Sequence, residues 1–315
     1  MFSRILVPLD GSPLAEAILP EVMELAALHG AEVMLLRVAL AHAFPGASQT
    51  DAQVRAVEEA EGYLAGVQQH LDARGLLVNC AVRYGHATGE ILDHAQARGA
   101  TLIAMSTHGR SGIRRLVLGS VAEAVLRASP VPVLLLHARE VAPASTPAEA
   151  GVPGAVGVAR WHPGEPSAPS VGHILCPVDF SPNSDRAMEY AGALAQRFGA
   201  DLTVLHVIYD LLDITCSHIP HPPLEQLREE MMRQAEQTLR HRVRRRLDSL
   251  PRVKTAVAAG PPFRQIIRYA REHGVDLIVM GTQGLSGLDR LIMGSTAERV
   301  VRTAPCPVVS IRAAA

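Results

Sequence analysis

Short apolar runs alternate with segments of helical period along most of the chain. The runs of the first half are too short for helices and rich in strand-forming residues, so they predict strands. They lie at 4–9, 32–39, 76–83, 101–105 and 131–137. The segments of helical period lie between them, at 13–28, 51–74, 88–97 and 120–128. This alternation predicts an α/β fold, in which a doubly wound parallel sheet is covered by helices on both faces.

The second half of the chain repeats the pattern of the first. The run 174–181 copies 5–12 at an offset of 169 residues, and the offset becomes 175 from the third strand onwards. A repeat of this length predicts two tandem domains, at 1–138 and 171–315. The segment between them, 139–170, is rich in Ala, Pro, Gly and Ser without a steady period, which predicts a flexible linker.

A glycine-rich loop follows the fourth strand of each half and leads into a helix. In the second half it is Gly281-Thr282-x-Gly284-x9-Gly294-Ser295-Thr296. In the first half it is Ser106-x2-Gly109-x9-Gly119-Ser120-Val121. Glycines let the backbone approach an anion, and a helix N-terminus offers unpaired N–H groups and a positive dipole end. The two copies predict an anion site in each half, and a long loop with structural glycines is the alternative.

In each half, residues at the ends of the first and second strands are expected to lie beside this loop. The first strand ends in an acidic turn, and a valine lies near the end of the second strand. The residues are Pro8, Asp10 and Val38 in the first half and Pro177, Asp179 and Val207 in the second. In a sheet of order 3-2-1-4-5, ligands bind outside the carboxyl ends of strands 1 and 4. A carboxylate facing a phosphate-type loop predicts a nucleotide, while helix capping is the alternative role of both aspartates, because Asp-Gly-Ser-Pro and Asp-Phe-Ser-Pro are also turn and cap sequences.

These motifs resemble the universal stress proteins of the tandem type. The resemblance rests on LVPLDGS at 6–12, LCPVDFS at 175–181 and the Gly-x2-Gly-x9-Gly-Ser spacing, and it covers everything but the linker. It implies a Rossmann-like, doubly wound fold. In the ATP-binding branch of the family it also implies ATP with Mg²⁺ as the ligand. Gly281, Gly284, Gly294 and Ser295 match that branch position by position.

The resemblance also assigns roles outside the glycine loop. The family's acidic residue maps onto Asp179 and Asp10, and its valine, whose backbone faces adenine, maps onto Val207 and Val38. The fifth strands, at 131–137 and 306–311, resemble strands that pair between protomers, which implies a pseudo-dimer within one chain. We expect a dimer of such tandem chains and protein partners of unknown identity, with 51–74 and 224–250 as alternative contact segments.

The first half departs from the motif at Ser106, where the ATP-binding branch has glycine. If this position needs a positive φ, a side chain costs about 1–2 kcal/mol, or roughly tenfold in affinity. If φ is negative, the cost disappears and the hydroxyl can donate a hydrogen bond. Nearby arginines can pair with phosphate or form a solvated basic loop; they are Arg110, Arg114 and Arg115. ATP is therefore expected at least in the second half.

Catalytic machinery is not evident in the sequence. The chain has one lysine, Lys254, and it follows Val253, so it contains no P-loop and lacks the usual lysine for phosphoryl transfer. We expect an ATP-binding regulator of the stress response with little or no fast catalysis, and we assign no catalytic residue. An adenine-nucleotide enzyme with slow ATP hydrolysis and a nucleotide-free interaction scaffold remain alternatives.

Composition restricts the partners and the compartment. The net charge of -1 gives no electrostatic footprint for nucleic acid or for an acidic membrane, and no apolar run approaches ~18 residues. Neither a targeting segment nor a C-x-x-C pair is visible, and Cys80, Cys176 and Cys306 lie in predicted strands as buried thiols. We therefore expect a cytoplasmic protein. A weak metal candidate remains in one loop, formed by Cys216, His218 and His221.

Overall fold

The computed structural model describes residues 1–39, 49–107, 118–137, 171–209, 222–282 and 293–312, and only the backbone at 49, 50, 52 and 222–225. The chain divides into two compact units, Met1–Pro169 and Ser170–Ala315. None of the helices in these ranges is long and apolar enough to cross a membrane.

The first unit alternates strands and helices as predicted. In chain order its described elements are β1 (Arg4–Pro8), α1 (Pro13–Glu16), α2 (Leu19–His29), β2 (Glu32–Ala39), α3 (Gln49–Asp72), β3 (Val78–Tyr84), α4 (Ala87–Ala97), β4 (Leu102–Ser106), α5 (Ser120–Ala128) and β5 (Val133–Leu136). The strands pair in parallel in the order β3-β2-β1-β4-β5. This is the predicted order, and it places the switch point between β1 and β4.

The second unit repeats this arrangement. Its described elements are β6 (His173–Val178), α6 (Pro182–Phe198), β7 (Asp201–Ile208), α7 (Pro222–Leu247), β8 (Val253–Ala259), α8 (Pro262–Glu272), β9 (Leu277–Gly281), α9 (Ser295–Thr303) and β10 (Val308–Ile311). Its parallel order is β8-β7-β6-β9-β10, so β6 and β9 flank the switch point. Every residue of β4 and four of the five in β9 are buried, as expected for strands covered on both faces.

The predicted helix over 13–28 is wrong in one respect, because it is two helices. The first, α1, ends at Glu16, and α2 begins at Leu19 with a proline in its first turn. The ring of Pro20 would clash with the carbonyl of Glu16 in a continuous helix, and its nitrogen has no hydrogen to donate. The helix predicted over 51–74 begins two residues earlier, at Gln49, so Asp51 lies inside its first turn.

Two cysteine predictions also need correction. Cys80 is exposed, because it lies on β3 at the edge of the sheet. Cys306 is buried as expected but precedes β10 rather than lying in it. Burial raises the pKa of the Cys306 thiol to about 12 and raises that of Cys176 as well, so both thiols stay protonated.

Candidate functional site

The same acidic turn closes the first strand of each unit. In the first unit, the Ser12 N–H donates to Asp10 Oδ1 at 2.9 Å. In the second, the Ser181 N–H donates to Asp179 Oδ1 at 3.0 Å. Both serines then cap the following helix with their side chains, as the Ser-Pro sequences indicate. Each aspartate therefore has a turn role, and its second carboxylate oxygen lies outside that hydrogen bond.

The residue at the centre of each turn has a positive φ. Gly11 has φ +80°, and Phe180 has φ +66°. Among the described residues that are not glycine, only Phe180 is in this left-handed region, which disfavours side chains. The turn geometry is thus kept in both units, without strain in the first and with a conformational cost in the second.

The strand register brings each valine beside its aspartate. Pro8 pairs with Leu36, and Val178 pairs with His206. Continuing these registers places Asp10 level with Val38 and Asp179 level with Val207. Pro177 lies one pair earlier on the same strand, opposite Leu205. The predicted acidic and valine positions therefore share the carboxyl edge of the sheet in each unit.

A backbone hydrogen bond brings the chain back to this edge after the glycine loop. The Gly119 N–H donates to the Thr107 carbonyl at 2.8 Å, and the Gly294 N–H donates to that of Thr282 at 2.8 Å. At Gly119, a Cβ would lie 2.9 Å from the Thr107 oxygen, so this close approach requires glycine. Both threonines are buried, which fixes the start of the last helix against the fourth strand of its unit.

The helices that begin at these glycines lack a side-chain cap. Gly119 and Gly294 are the N-cap residues of α5 and α9, and neither helix start has a side-chain cap hydrogen bond. Ser120 and Ser295 are exposed in the first turns, where Val121 and Thr296 are half-buried. The starts of α4 and α8 also lack a side-chain cap, but these helices follow the outer strands β3 and β8. Among the helices that follow the strands at the switch point, α1 and α6 are closed by serine caps, so α5 and α9 are the helix starts suited to an anion.

The conformational penalty considered for Ser106 does not arise. Ser106 is the last residue of β4, is buried and does not have a positive φ. Gly281, its counterpart, has no positive φ either, but a Cβ there would lie 3.3 Å from the carbonyl carbon of Asn183 in α6. Close packing by α6 therefore explains the glycine in the second unit. In the first unit the corresponding helix, α1, is a single short turn, and a serine is accommodated.

A cluster that the sequence analysis missed lies beside the turn of the first unit. The Arg37 guanidinium lies over the Tyr63 ring, 4.8 Å from its centroid, and the Tyr63 hydroxyl donates to Glu16 Oε1 at 2.8 Å. A Cβ on Gly11 would come within 2.2 Å of Arg37 Nη1. Burial, and then the hydrogen bond to Glu16, raise the pKa of Tyr63, so the phenol remains a donor.

The second unit has a different cluster at the same place. The Phe180 and His206 rings stack with centroids 4.0 Å apart, and the Arg242 guanidinium lies 5.1 Å from the Phe180 centroid. Arg242 Nη1 also donates to Asp185 at 3.0 and 2.9 Å, and Arg246 Nη2 donates to it at 2.7 Å. Burial lowers the pKa of His206, although its hydrogen bond to the Val178 carbonyl opposes this shift. The neutral ring therefore suits stacking.

A polar residue in an apolar strand could have revealed both clusters. Arg37 interrupts the run EVMLLRVA, and His206 lies at the same position of the second copy, 169 residues later. Such a residue near the carboxyl end of a parallel strand is a candidate for the ligand site.

Several predicted residues fall outside the described ranges. They are Gly109, Arg110, Arg114, Arg115, Gly284 and the metal candidates Cys216, His218 and His221. In the ranges that are described, no group of three or more His, Cys, Asp or Glu residues could hold a metal ion.

Comparison with known proteins gives one consistent match in both halves. The Universal stress protein family matches residues 1–137 and 171–312. A universal stress protein of Mycolicibacterium smegmatis is 24% identical over 320 residues, which cover 98% of this chain and 96% of that protein. The protein YxiE of Bacillus subtilis, also a universal stress protein, is 30% identical over 144 residues, or 44% of this chain and 97% of its own length.

Solved structures agree on the fold. The crystal structure of a universal stress protein from Archaeoglobus fulgidus has a TM-score of 0.68 and 23% identity, and the match covers 98% of each chain. At this identity the similarity shows the fold alone.

Proposed function

The chain belongs to the universal stress protein family, and we propose that it binds ATP with Mg²⁺ at the carboxyl edge of each unit and acts as a nucleotide-dependent regulator in the stress response. The observation that carries the proposal is the pair of uncapped helix starts at Gly119 and Gly294. Each begins beside a threonine-anchored loop end, at the same sheet edge as an aspartate.

The residues at this edge fit the groups of a nucleotide. The first-turn N–H groups of α5 and α9, with the hydroxyls of Ser120, Ser295 and Thr296, are donors for phosphate oxygens. Bound ATP with Mg²⁺ would supply the triphosphate whose negative charge these donors and the helix dipole stabilise. No described residue group fits a metal held by protein alone, so the metal in this proposal enters with the nucleotide.

The aspartate and the valine face the other part of the nucleotide. Asp10 and Asp179 each accept a turn hydrogen bond at Oδ1, and in this proposal their carboxylates also face a ribose or base donor. The strand register places Val38 and Val207 beside them, where backbone groups at a strand end can pair with a base edge. Because Ser106 has no positive φ, the proposal includes the first unit as well as the second.

The proposal separates binding from catalysis. The single lysine, Lys254, forms an ion pair with Asp201 at 3.6 Å on β7 and β8. Asp201 starts its strand, so this pair lies at the opposite edge of the sheet from Asp179. Because the proposed site has no lysine, we expect little stabilisation of a phosphoryl-transfer transition state. ATP hydrolysis should therefore be slow at most.

The test is the nucleotide content and Mg-ATP affinity of the whole chain with isosteric variants. Asp10→Asn and Asp179→Asn keep the turn acceptor but remove the carboxylate charge. We expect two nucleotides per chain in the parent, and about tenfold weaker binding at one site in each variant. Ion-exchange chromatography of the denatured protein gives the content, and calorimetry gives the affinity.

The matched control is Asp276→Asn in the second unit. Asp276 Oδ2 also accepts backbone N–H groups, from Gly172 and His173 at 2.9 Å each, but at the opposite end of β6. This variant should keep both nucleotides. An empty parent protein that takes up no added Mg-ATP would refute the proposal and favour the scaffold alternative. Binding that Asp179→Asn and Asp276→Asn weaken equally would refute the placement of the site.

A further inference from the structure

A groove between α8 and α9 of the second unit has a volume of about 440 Å³. We call it the α8–α9 groove. Its apolar lining includes the half-buried Phe263 and the buried Ile267, and α9 contributes Thr303. The other lining residues are charged, and they are Arg264, Arg268, Arg271 and Glu272. Apolar and aromatic surface beside arginine is typical of the energetically important part of protein–protein contacts.

The charges around this groove are unbalanced. The two helices carry five arginines and two glutamates, which gives a net charge of +3. Three of the arginines are exposed and have no ion-pair partner within the described ranges: Arg264, Arg271 and Arg299. The guanidinium groups of Arg299 and Arg264 lie 4.8 and 5.8 Å from the Phe263 ring centroid. Each of the other two arginines pairs with a glutamate one turn away.

The first unit shows that the fold does not require these arginines. At the offset of 175 residues, the positions of Arg264, Arg268, Arg271 and Arg299 are taken by glycine, aspartate, glutamine and alanine. The equivalent helices, α4 and α5, therefore lack this basic surface. The arginines of the α8–α9 groove belong to the second unit alone, and they need an explanation outside the packing of the fold.

A surface of opposite charge lies on α3 of the first unit. This helix carries five acidic residues and one arginine, a net charge of -4. Glu58, Glu59 and Glu61 are exposed, and none of them has an ion-pair partner in the part of the chain that the structure describes. Val54 shares a face with Glu58 and Glu61 and is 51% exposed. The outer face of α3 is thus acidic with an apolar side chain at one end.

The two surfaces also match in length. Arg264 and Arg271 are seven residues apart on one face of α8, and Val54 and Glu61 are seven residues apart on one face of α3. Seven residues of helix span roughly 10 Å. A helix with this face can lie along the groove, with its carboxylates beside the arginines and its apolar side chain against the apolar lining.

The outer face of α3 has little side-chain bulk beyond Glu58. Gly62 and Gly66 lie exposed inside the helix, and a Cβ at either would meet no described atom within 4 Å. Glycine destabilises a helix interior relative to alanine, and no contact within the described ranges requires it at these positions. Where side chains are missing, another surface can approach the α3 backbone closely.

We propose that the α8–α9 groove binds α3 of a second copy of this chain. Arg264 and Arg271 pair with Glu58 and Glu61, and Val54 packs against the apolar lining of the groove. The contact joins unlike surfaces of two chains and does not depend on nucleotide. One helix in one groove makes a small interface, so we expect a dissociation constant on the order of 10 µM.

The test is sedimentation velocity of the full chain from about 1 to about 100 µM. We expect association that weakens at high salt, because exposed charges are screened. The groove variant is Arg264→Glu with Arg271→Glu, and the helix variant is Glu58→Arg with Glu61→Arg. Each should associate at least tenfold more weakly than the parent, because like charges then face each other.

An equimolar mixture of the groove variant and the helix variant should associate again. The unaltered α3 of the first meets the unaltered groove of the second, and the two reversed surfaces are also complementary. A variant that had merely lost its fold could not be rescued in this way.

The matched control is Arg244→Glu with Arg245→Glu, two exposed arginines of α7 with the same change of charge. This variant should associate like the parent. The proposal fails if the parent stays monomeric, if the control weakens association as much as the groove variant, or if the mixture does not associate. Binding of a monomeric parent, but not of the groove variant, to phosphatidylglycerol vesicles would assign the groove to a lipid surface and overturn the proposal.

Discussion

The strained turn at Phe180 predicts that glycine is more stable than alanine at this position, the reverse of the order in a helix. Phe180 has φ +66°, the conformation that Gly11 supplies in the first unit. We compare Phe180→Gly with Phe180→Ala in the full chain. Both variants lose the ring contacts with His206 and Arg242, which together contribute about 1–2 kcal/mol. They differ in the backbone, because alanine keeps the left-handed penalty of about 1–2 kcal/mol and glycine removes it.

We therefore expect Phe180→Gly to be more stable than Phe180→Ala by about 1 kcal/mol. At an ordinary helical position the order is reversed, and alanine is favoured by about 1 kcal/mol. The matched control is Glu229→Gly against Glu229→Ala, at an exposed position of α7 in the same unit.

Hydrogen exchange measured on peptides from 171–209 reports the opening free energy of the second unit itself. Urea unfolding followed by circular dichroism gives the corresponding shift in midpoint. If Phe180→Ala is as stable as Phe180→Gly while the Glu229 pair behaves normally, the left-handed turn is not a source of strain and the reasoning fails.

Three further changes have expected outcomes. Gly281→Ser should lower the free energy of unfolding of the second unit, measured in urea, by about 1 kcal/mol, because its Cβ would press on Asn183 at 3.3 Å. Burial raises the pKa of Glu21 to about 7, so the folded state holds its proton more tightly than the unfolded state. The free energy of unfolding should then fall by about 3 kcal/mol as pH rises from 4.5 through 7, and Glu21→Gln should flatten that slope in urea titrations at each pH. Asp185→Asn should cost about 2 kcal/mol by urea unfolding, because the carboxylate is 14% exposed and leaves Arg242 without its partner.

The sequence predicts the parts of this protein that depend on local chemistry. Strand order follows from apolar runs and right-handed crossovers, and the capping roles of Ser12 and Ser181 follow from Asp-x-Ser-Pro. The break between α1 and α2 could also be predicted from the sequence, because a proline such as Pro20 inside a helical period interrupts the helix. It was missed because the hydrophobic period continues across the break.

The rest depends on distances that no spacing in the sequence contains. The sequence suggests that backbone φ decides whether serine can replace glycine at Ser106, but in the structure the close approach of α6 to β9 is what requires Gly281. The α8–α9 groove likewise becomes visible only when the two helices are packed together. Both facts are properties of long-range packing.

The two clusters beside the acidic turns also explain why the residues at these positions differ together between the two units. In the first unit a glycine leaves space above the turn, and the Arg37 guanidinium fills it; a Cβ at Gly11 would meet Nη1 at 2.2 Å. In the second unit the Phe180 ring fills that space, and the shorter His206 stacks beneath it. A large residue at one position excludes a long one at the other, so the pair must change together. Since both positions adjoin the aspartate of the candidate site, the coupled change alters its surroundings while the turn that holds the carboxylate is preserved.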